Sequence, residues 1–399
     1  MCRNRTFLTA PNGFSVPYVL AEVRSKNSRE RFAFVVNRPL PAVARECILA
    51  GRSSERAIRP RLYGVVVLFS AGAAAPDVPA GRRPFCDDTT MTRDVHDALA
   101  SHTTEYEIHR ELHAVPPHRT YEVTIGGVHA VCKLATGPEA APATEARIVR
   151  YVGEHTSIPV PRIVAIGQDH FVAKWHDGVP EADEPPITEE WARIAGAGMA
   201  TLHAETASNF EATGLLDSKE SELSLDAHET WPETIEAVLE DRRDYLARFE
   251  YADVAREAIQ FVRGHPEAFA DCGDPVLCHG NLLPDHLGVE DGEVACVIDF
   301  EHALVGPGEY DYWRTALPAF EARERPALQQ MFRAGYESVR PLPDGLDRRA
   351  DLYRMVDTVS FLKALYLQRR ITGDEAERRA EWMVGYVRDA LDGLREVYG

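Results

Sequence analysis

The side chains able to do chemistry crowd into residues 276–311, which read VLCHGNLLPDHLGVEDGEVACVIDFEHALVGPGEYD. Asp291-Gly292 is a strong two-residue hairpin turn, flanked by the apolar runs 287–289 and 294–298. Paired positions in such a hairpin sum to 583, so Asp299 falls opposite Pro284 and beside Asp285 and His286. A carboxylate at the tip of a buried apolar strand, facing a polar loop, suits a divalent cation. A plain hairpin with a solvated Asp at its end is the other reading. A second constellation lies upstream. Glu145 shares a helix face with Ile148, Val149 and Val152, which puts a carboxylate on a buried stripe where an unpaired charge is costly. Lys133, in an apolar strand, is its obvious partner, and a strand lysine held by a helix glutamate can aim an ammonium at phosphates. Alternatively Glu145 snorkels from a helix N-terminus, where its charge suits the dipole.

The elements that must position these groups are legible from pattern. Tyr121, Val123 and Ile125 alternate with polar residues, Gly126-Gly127 turns the chain, and Val128 to Leu134 returns: a β-hairpin. A helix follows, with Pro142 near its start. Two more strands, Pro159 to Ile166 and His170 to Trp175, flank a Gly167-Gln168-Asp169 turn. Beyond the acidic, Pro-rich stretch Asp177 to Pro186 nearly everything reads as helix, with amphipathic patterns at 191–202, 231–263, 321–340 and 347–396. The hairpin near 287–298 is the one expected interruption. A small strand-rich lobe therefore precedes a large helical one.

Composition bounds the rest. The chain has 399 residues, 45% hydrophobic and 27% charged, enough for two or three domains of an ordinary soluble protein. Its net charge of −19 excludes the basic footprint of non-specific nucleic-acid binding. The charge is uneven: residues 1–90 hold 14 basic and 7 acidic side chains, and residues 91–399 hold 30 and 56. That acidic body contains only four lysines, Lys133, Lys174, Lys219 and Lys363, which suits a salt-rich (halophilic) cytoplasm. Seven scattered cysteines without a CxxC pair, three of them in apolar runs (Cys132, Cys278, Cys296), read as buried thiols in a reducing compartment. Residues 1–90 are Arg-rich, broken by Pro and Gly, and without sustained period. Their apolar run from Leu62 to Ala75 is too short to span a bilayer. The working protein is expected to begin at or near Met91, with 1–90 a disordered extension or the product of a start codon placed too far upstream.

Taken together, these motifs resemble the aminoglycoside phosphotransferase and choline kinase-like family over roughly residues 105–390. His279-Gly280-Asn281, with His286 ending the loop, is similar to that family's catalytic loop. Ile298-Asp299-Phe300-Glu301 resembles its metal motif, and Gly306-Pro307…Asp311 its downstream segment. Leu202-His203 resembles the end of the first long helix of its C-terminal lobe, and Lys133 with Glu145 its nucleotide pair. The resemblance implies an α+β, two-lobed protein-kinase-like fold, with a small antiparallel sheet and one helix in the N-terminal lobe (91–178) and a large helical C-terminal lobe (179–399). It implies a cytoplasmic enzyme, a monomer or weak homodimer with no membrane or nucleic-acid partner. Its expected reaction transfers phosphate from ATP or another nucleoside triphosphate to a hydroxyl of a small molecule. Lys133 and Glu145 would hold the phosphates, and Asp299 and His286 would hold Mg²⁺ or Mn²⁺.

Three departures shape that expectation. The family's catalytic Asp is Asn281, which cannot accept a proton at neutral pH, although phosphoryl transfer relies more on positioning and charge than on early deprotonation. Asn281 would then position the hydroxyl, with Asp285 standing in as base. The alternative is a pseudokinase that binds nucleotide without turnover. The metal-binding Asn is His286, an imidazole better suited to Mn²⁺ than to Mg²⁺. The nucleotide loop, Pro116-Pro117-His118-Arg119-Thr120, has no glycine, and Arg119 is expected to supply charge in place of backbone contacts. His279 is expected to brace its loop. His109 and His113, at i,i+4 spacing, read as a solvated helix face, and Gly306-Pro307-Gly308 as a turn. The acidic run at 181–190 reads as a solvated crossover, and the hinge from Lys174 to Asp177 as the adenine edge.

Overall fold

The computed structural model describes residues 19–24, 31–36, 94–180, 185–219 and 222–399. The chain divides into two units, residues 1–60 and 61–399. In the first, β1 (Val19–Arg24) and β2 (Arg31–Val36) pair antiparallel, although the sequence there shows no clear strand period. The Leu62 to Ala75 run and the junction at Met91 lie outside the described residues, as does the acidic run at 181–184.

The second unit opens with a short helix, α1 (Val95–Ala100), capped by the Asp94 carboxylate. An antiparallel sheet follows, built from β3 (Tyr106–Val115), β4 (His118–Ile125), β5 (Val128–Ala135), β6 (Ile163–Ile166) and β7 (His170–Lys174) in the order β3-β4-β5-β7-β6. Gly126 and Gly127 both take positive φ, the backbone a tight hairpin turn demands. Strand alternation sorts this sheet into two faces. Tyr121, Val123, Cys132, Leu134 and Val172 pack under Val95 and Leu99 of α1. Phe171 and Ala173, on the other face, pack against Ala146 of α2 (Pro142–His155). Each such aliphatic side chain contributes about 1.5–3 kcal/mol by leaving water. His109 and His113 lie on β3, not on a helix. An i,i+4 spacing keeps two side chains in phase in either geometry, so it does not discriminate.

From α3 (Glu189–Thr206) the chain is mostly helical: α4 (Trp231–Leu246), α5 (Ala252–Gly264), α6 (Gly308–Ala316), α7 (Pro326–Glu337), α8 (Ala350–Gln368) and α9 (Asp374–Tyr398). Two findings amend the sequence reading. A four-stranded antiparallel sheet is set among the helices, in the order β10-β13-β8-β9, from β8 (Thr213–Lys219), β9 (Glu222–His228), β10 (Pro275–Cys278) and β13 (Leu304–Pro307). Its strands carry few β-branched residues and escaped the pattern. Gly306-Pro307-Gly308 is accordingly no turn: it ends β13 and starts α6. Secondly, the hairpin of β11 (Leu287–Glu290) and β12 (Glu293–Val297) has a bulge between Gly288 and Val289. Pairs therefore sum to 583 at Val289↔Val294 but to 584 at Leu287↔Val297, one residue off the expected register.

Candidate active site

Lys133 projects from β5 toward α2, where Glu145 occupies the first turn. Its Nζ lies 2.8 Å from Glu145 Oε2, 2.6 Å from Asp299 Oδ1 and 3.4 Å from Glu301 Oε2. The sheet lobe and the helical lobe thus meet on one buried ammonium. Burial alone would weaken its hold on the proton, but the charges of Asp299, Glu145 and Glu301 outweigh that and hold its pKa well above the ordinary lysine value. Burial likewise works to raise Asp299, yet Lys133 outweighs it and keeps the carboxyl at about 2. For Glu145 burial prevails over Lys133, and the carboxyl rises to about 7.

Asp299 follows β12 with φ 70, a left-handed conformation that aspartate tolerates better than most residues. Its second oxygen, Oδ2, is 3.2 Å from His286 Nε2, which also lies 3.6 Å from Asp285 Oδ2. Nδ1 of His286 donates to the Asn281 carbonyl at 2.7 Å. Both ring nitrogens therefore face acceptors. Burial opposes protonation, but Asp285 and Asp299 prevail and the pKa rises. An anchored Nδ1 with Nε2 aimed at a carboxylate is the usual preparation of a metal-ligating histidine. With Asp299 beside it and Asp285 at the rim, this donor set fits a divalent cation.

The loop that carries Asn281 is held from four directions. His279 Nε2 donates to the Ile298 carbonyl at 2.9 Å, and its Nδ1 accepts the Asn281 N–H at 3.2 Å. That fixes one tautomer, and burial pushes the ring's pKa down, so His279 braces rather than reacts. Asp311, at the start of α6, accepts the backbone N–H groups of His279 (2.8 Å) and Gly280 (2.7 Å). His203, from the last turn of α3, donates Nε2–H to the same carboxylate at 3.1 Å. Finally, Arg314 Nε donates to the Gly280 carbonyl at 2.9 Å. Gly280 has φ +79, and a Cβ there would lie 2.1 Å from the His302 carbonyl oxygen, so only glycine fits. The outcome of this bracing is a buried Asn281 whose Oδ1 has no hydrogen-bond donor.

Of the residues singled out from sequence, Lys133, Glu145, Asp285, His286 and Asp299 form one contact network, and Asn281 joins it through its carbonyl. Arg119 does not. It pairs in register with Leu134, on the opposite face of the sheet from Lys133, where it meets Glu111 and stacks over Tyr121. The side chain on the Lys133 face is its neighbour His118, bonded to Glu301. Strand alternation in register with Lys133 would have distinguished the two. Glu301 was visible in its motif but carried no assigned role. Asp311, His203 and Arg314 act on the loop from a distance that spacing does not reveal.

A two-lobed α+β fold with a lysine–carboxylate cluster across the cleft defines a kinase-like small-molecule phosphotransferase scaffold. The sequence matches the phosphotransferase enzyme family over residues 88–352, and the chain belongs to that family. Among solved structures it is similar to a thermostable mutant of aminoglycoside phosphotransferase APH(4)-Ia in a ternary complex with ADP and hygromycin B. There the identity is 18%, with 75% of this chain and 98% of that chain covered and a TM-score of 0.52. A Thermobifida fusca protein assigned as a fructosamine-3-kinase is similar at 20% identity, with 75% and 98% covered and a TM-score of 0.51. At these identities the likeness establishes the fold. No described helix is long and apolar enough to cross a membrane.

Proposed function

We propose that the protein transfers a phosphoryl group from ATP or another nucleoside triphosphate to a hydroxyl of a small molecule, in the cytoplasm, with residues 91–399 as the working unit. The observation that carries this reading is the buried Asn281 Oδ1 without a donor, in a loop braced at both ends and linked through His286 to Asp299 and Lys133. An amide oxygen so placed accepts the O–H of an acceptor and orients its oxygen for in-line attack. Lys133, steadied by Glu145, presents its ammonium to the phosphates. A divalent ion held by Asp299 and His286 would supply charge neutralisation there. The hydroxyl proton passes to Asp285, the half-exposed carboxylate of the same loop. The related complex with ADP and hygromycin B supports a nucleotide and a hydroxyl-bearing acceptor for this scaffold. The acidic, lysine-poor body fits a salt-rich cytoplasm.

A second reading, a nucleotide-binding module without turnover, rests on Asn281 itself, an amide where transfer would use a carboxylate. The two separate on Asn281→Asp. A general base contributes about 10²–10⁴-fold, so the variant should release ADP faster by that order in the presence of amine, sugar and macrolide acceptors. Faster release in the variant with measurable turnover in the wild type supports the transferase. Zero turnover in both supports the module, and a wild type unstabilised by nucleotide and Mn²⁺ overturns both readings.

A further inference from the structure

The turn between β3 and β4 is Pro116-Pro117, and neither residue carries an N–H to offer a phosphate. In the next position the strand turns a side chain toward the cleft instead. His118 pairs in register with Ala135, Thr120 with Lys133, so all four share one face of the sheet. His118 is buried, at 6% exposure. Its Nε2 donates to Glu301 Oε2, the oxygen that also lies 3.4 Å from Lys133 Nζ, and its Nδ1 has no partner. Two donors from adjacent strands therefore converge on a single anionic oxygen brought across from the helical lobe. A phosphate oxygen offers them the same charge and the same acceptor geometry.

We propose that His118 is a ligand of the nucleotide phosphates, acting jointly with Lys133, and that Glu301 occupies the phosphate's position when nucleotide is absent. His118 then does with a side chain what the proline turn cannot do with its backbone. This assignment rests on the nucleotide reading above and names a contact for it.

The test compares the full-length wild type with His118→Ala and His118→Gln, titrated with adenosine, ADP and ATP in the presence of Mn²⁺, and with Mn²⁺ alone. A charge-assisted hydrogen bond is worth about 1.5–3 kcal/mol, so His118→Ala should weaken ADP and ATP by about tenfold or more while leaving adenosine unchanged. His118→Gln keeps a donor and should recover part of the loss. Unchanged ATP affinity in both variants, or an equal loss for adenosine and ATP, overturns the assignment. So does weakened binding of Mn²⁺ alone, which would make His118 a metal ligand alongside Glu145 and Glu301, whose ligand atoms lie within 4.8 Å of one another and of the ring. Should His118→Ala fail to fold, the adenosine-to-ATP ratio of His118→Gln decides by the same criteria. A wild type that binds none of the three nucleosides and nucleotides removes the nucleotide reading, and this assignment with it. A wild type that binds them, with indifferent variants, removes this assignment alone.

Discussion

Asp357 lies outside the lysine–carboxylate cluster, and its burial predicts a pH-dependent effect on stability that can be measured. It sits in α8, fully buried, with both oxygens lacking a hydrogen bond and Arg314 Nη1 at 3.6 Å. Burial raises its carboxyl, against the pull of Arg314, to about 7. The sign follows from which state keeps the proton. Between about pH 4 and pH 7 the folded chain holds a proton that the unfolded chain has released, so this group's contribution to stability falls as pH rises and the loss is complete above pH 7. The full gap from an ordinary aspartate corresponds to about 4 kcal/mol, of which about 2–3 kcal/mol develops between pH 5 and pH 8. Asp357→Asn is neutral throughout and lacks this slope. Urea unfolding of both proteins at pH 5 and pH 8 should therefore show the variant gaining about 2–3 kcal/mol relative to wild type across that interval. The constant offset absorbs whatever Arg314 loses with its counter-charge, and groups common to both proteins, Glu145 among them, cancel. Parallel pH dependences would refute the reasoning and place a hydrating partner on the carboxylate.

Lys133→Met would leave Glu145, Asp299 and Glu301 around an uncharged stem. Removing one partner from a buried ion pair typically costs about 3–5 kcal/mol, so urea unfolding should show a loss of that order together with lost ATP binding. A loss below 1 kcal/mol would mean the cluster is hydrated rather than closed. Asp311→Asn removes the carboxylate that accepts two backbone N–H groups and His203. Hydrogen exchange at the His279 and Gly280 amides should accelerate at least tenfold, and unchanged protection would assign the bracing to Arg314 and Ile298.

The parts of this molecule legible in sequence are those where one local rule decides. Gly126-Gly127 and Asp291-Gly292 fixed two hairpins because few other pairs adopt that backbone, and the single-face spacing of Glu145, Ile148, Val149 and Val152 fixed α2 and its inward carboxylate. The misreadings arose where a second rule intervenes. One bulge at Gly288/Val289 moved the pairing by a residue, and the shifted register brings Asp299 opposite Asp285 rather than Pro284, one position nearer His286. Arg119 was named for its charge alone, and strand alternation puts it on the sheet face opposite Lys133. β8 and β9 went unseen because Thr213 to His228 carries little strand propensity. The pairing of β8 with β13 is a long-range contact that no window of sequence contains.

The closed cluster also explains why a chain can keep this scaffold while altering its loop. Asp311, Arg314, His279 and the Ile298 carbonyl position the backbone of residues 279–281, and none of them touches the Asn281 side chain. Exchange of a carboxylate for an amide at position 281 therefore leaves the bracing intact. It also removes one negative charge from a cleft where Glu145, Asp285, Asp299 and Glu301 already outnumber Lys133. Like charges repel in a cluster of this kind, and a fifth carboxylate would add to that repulsion. On the transfer proposed above, an amide at this position would lower the negative charge that a triphosphate meets and would leave orientation of the hydroxyl, rather than its deprotonation, as the residue's task.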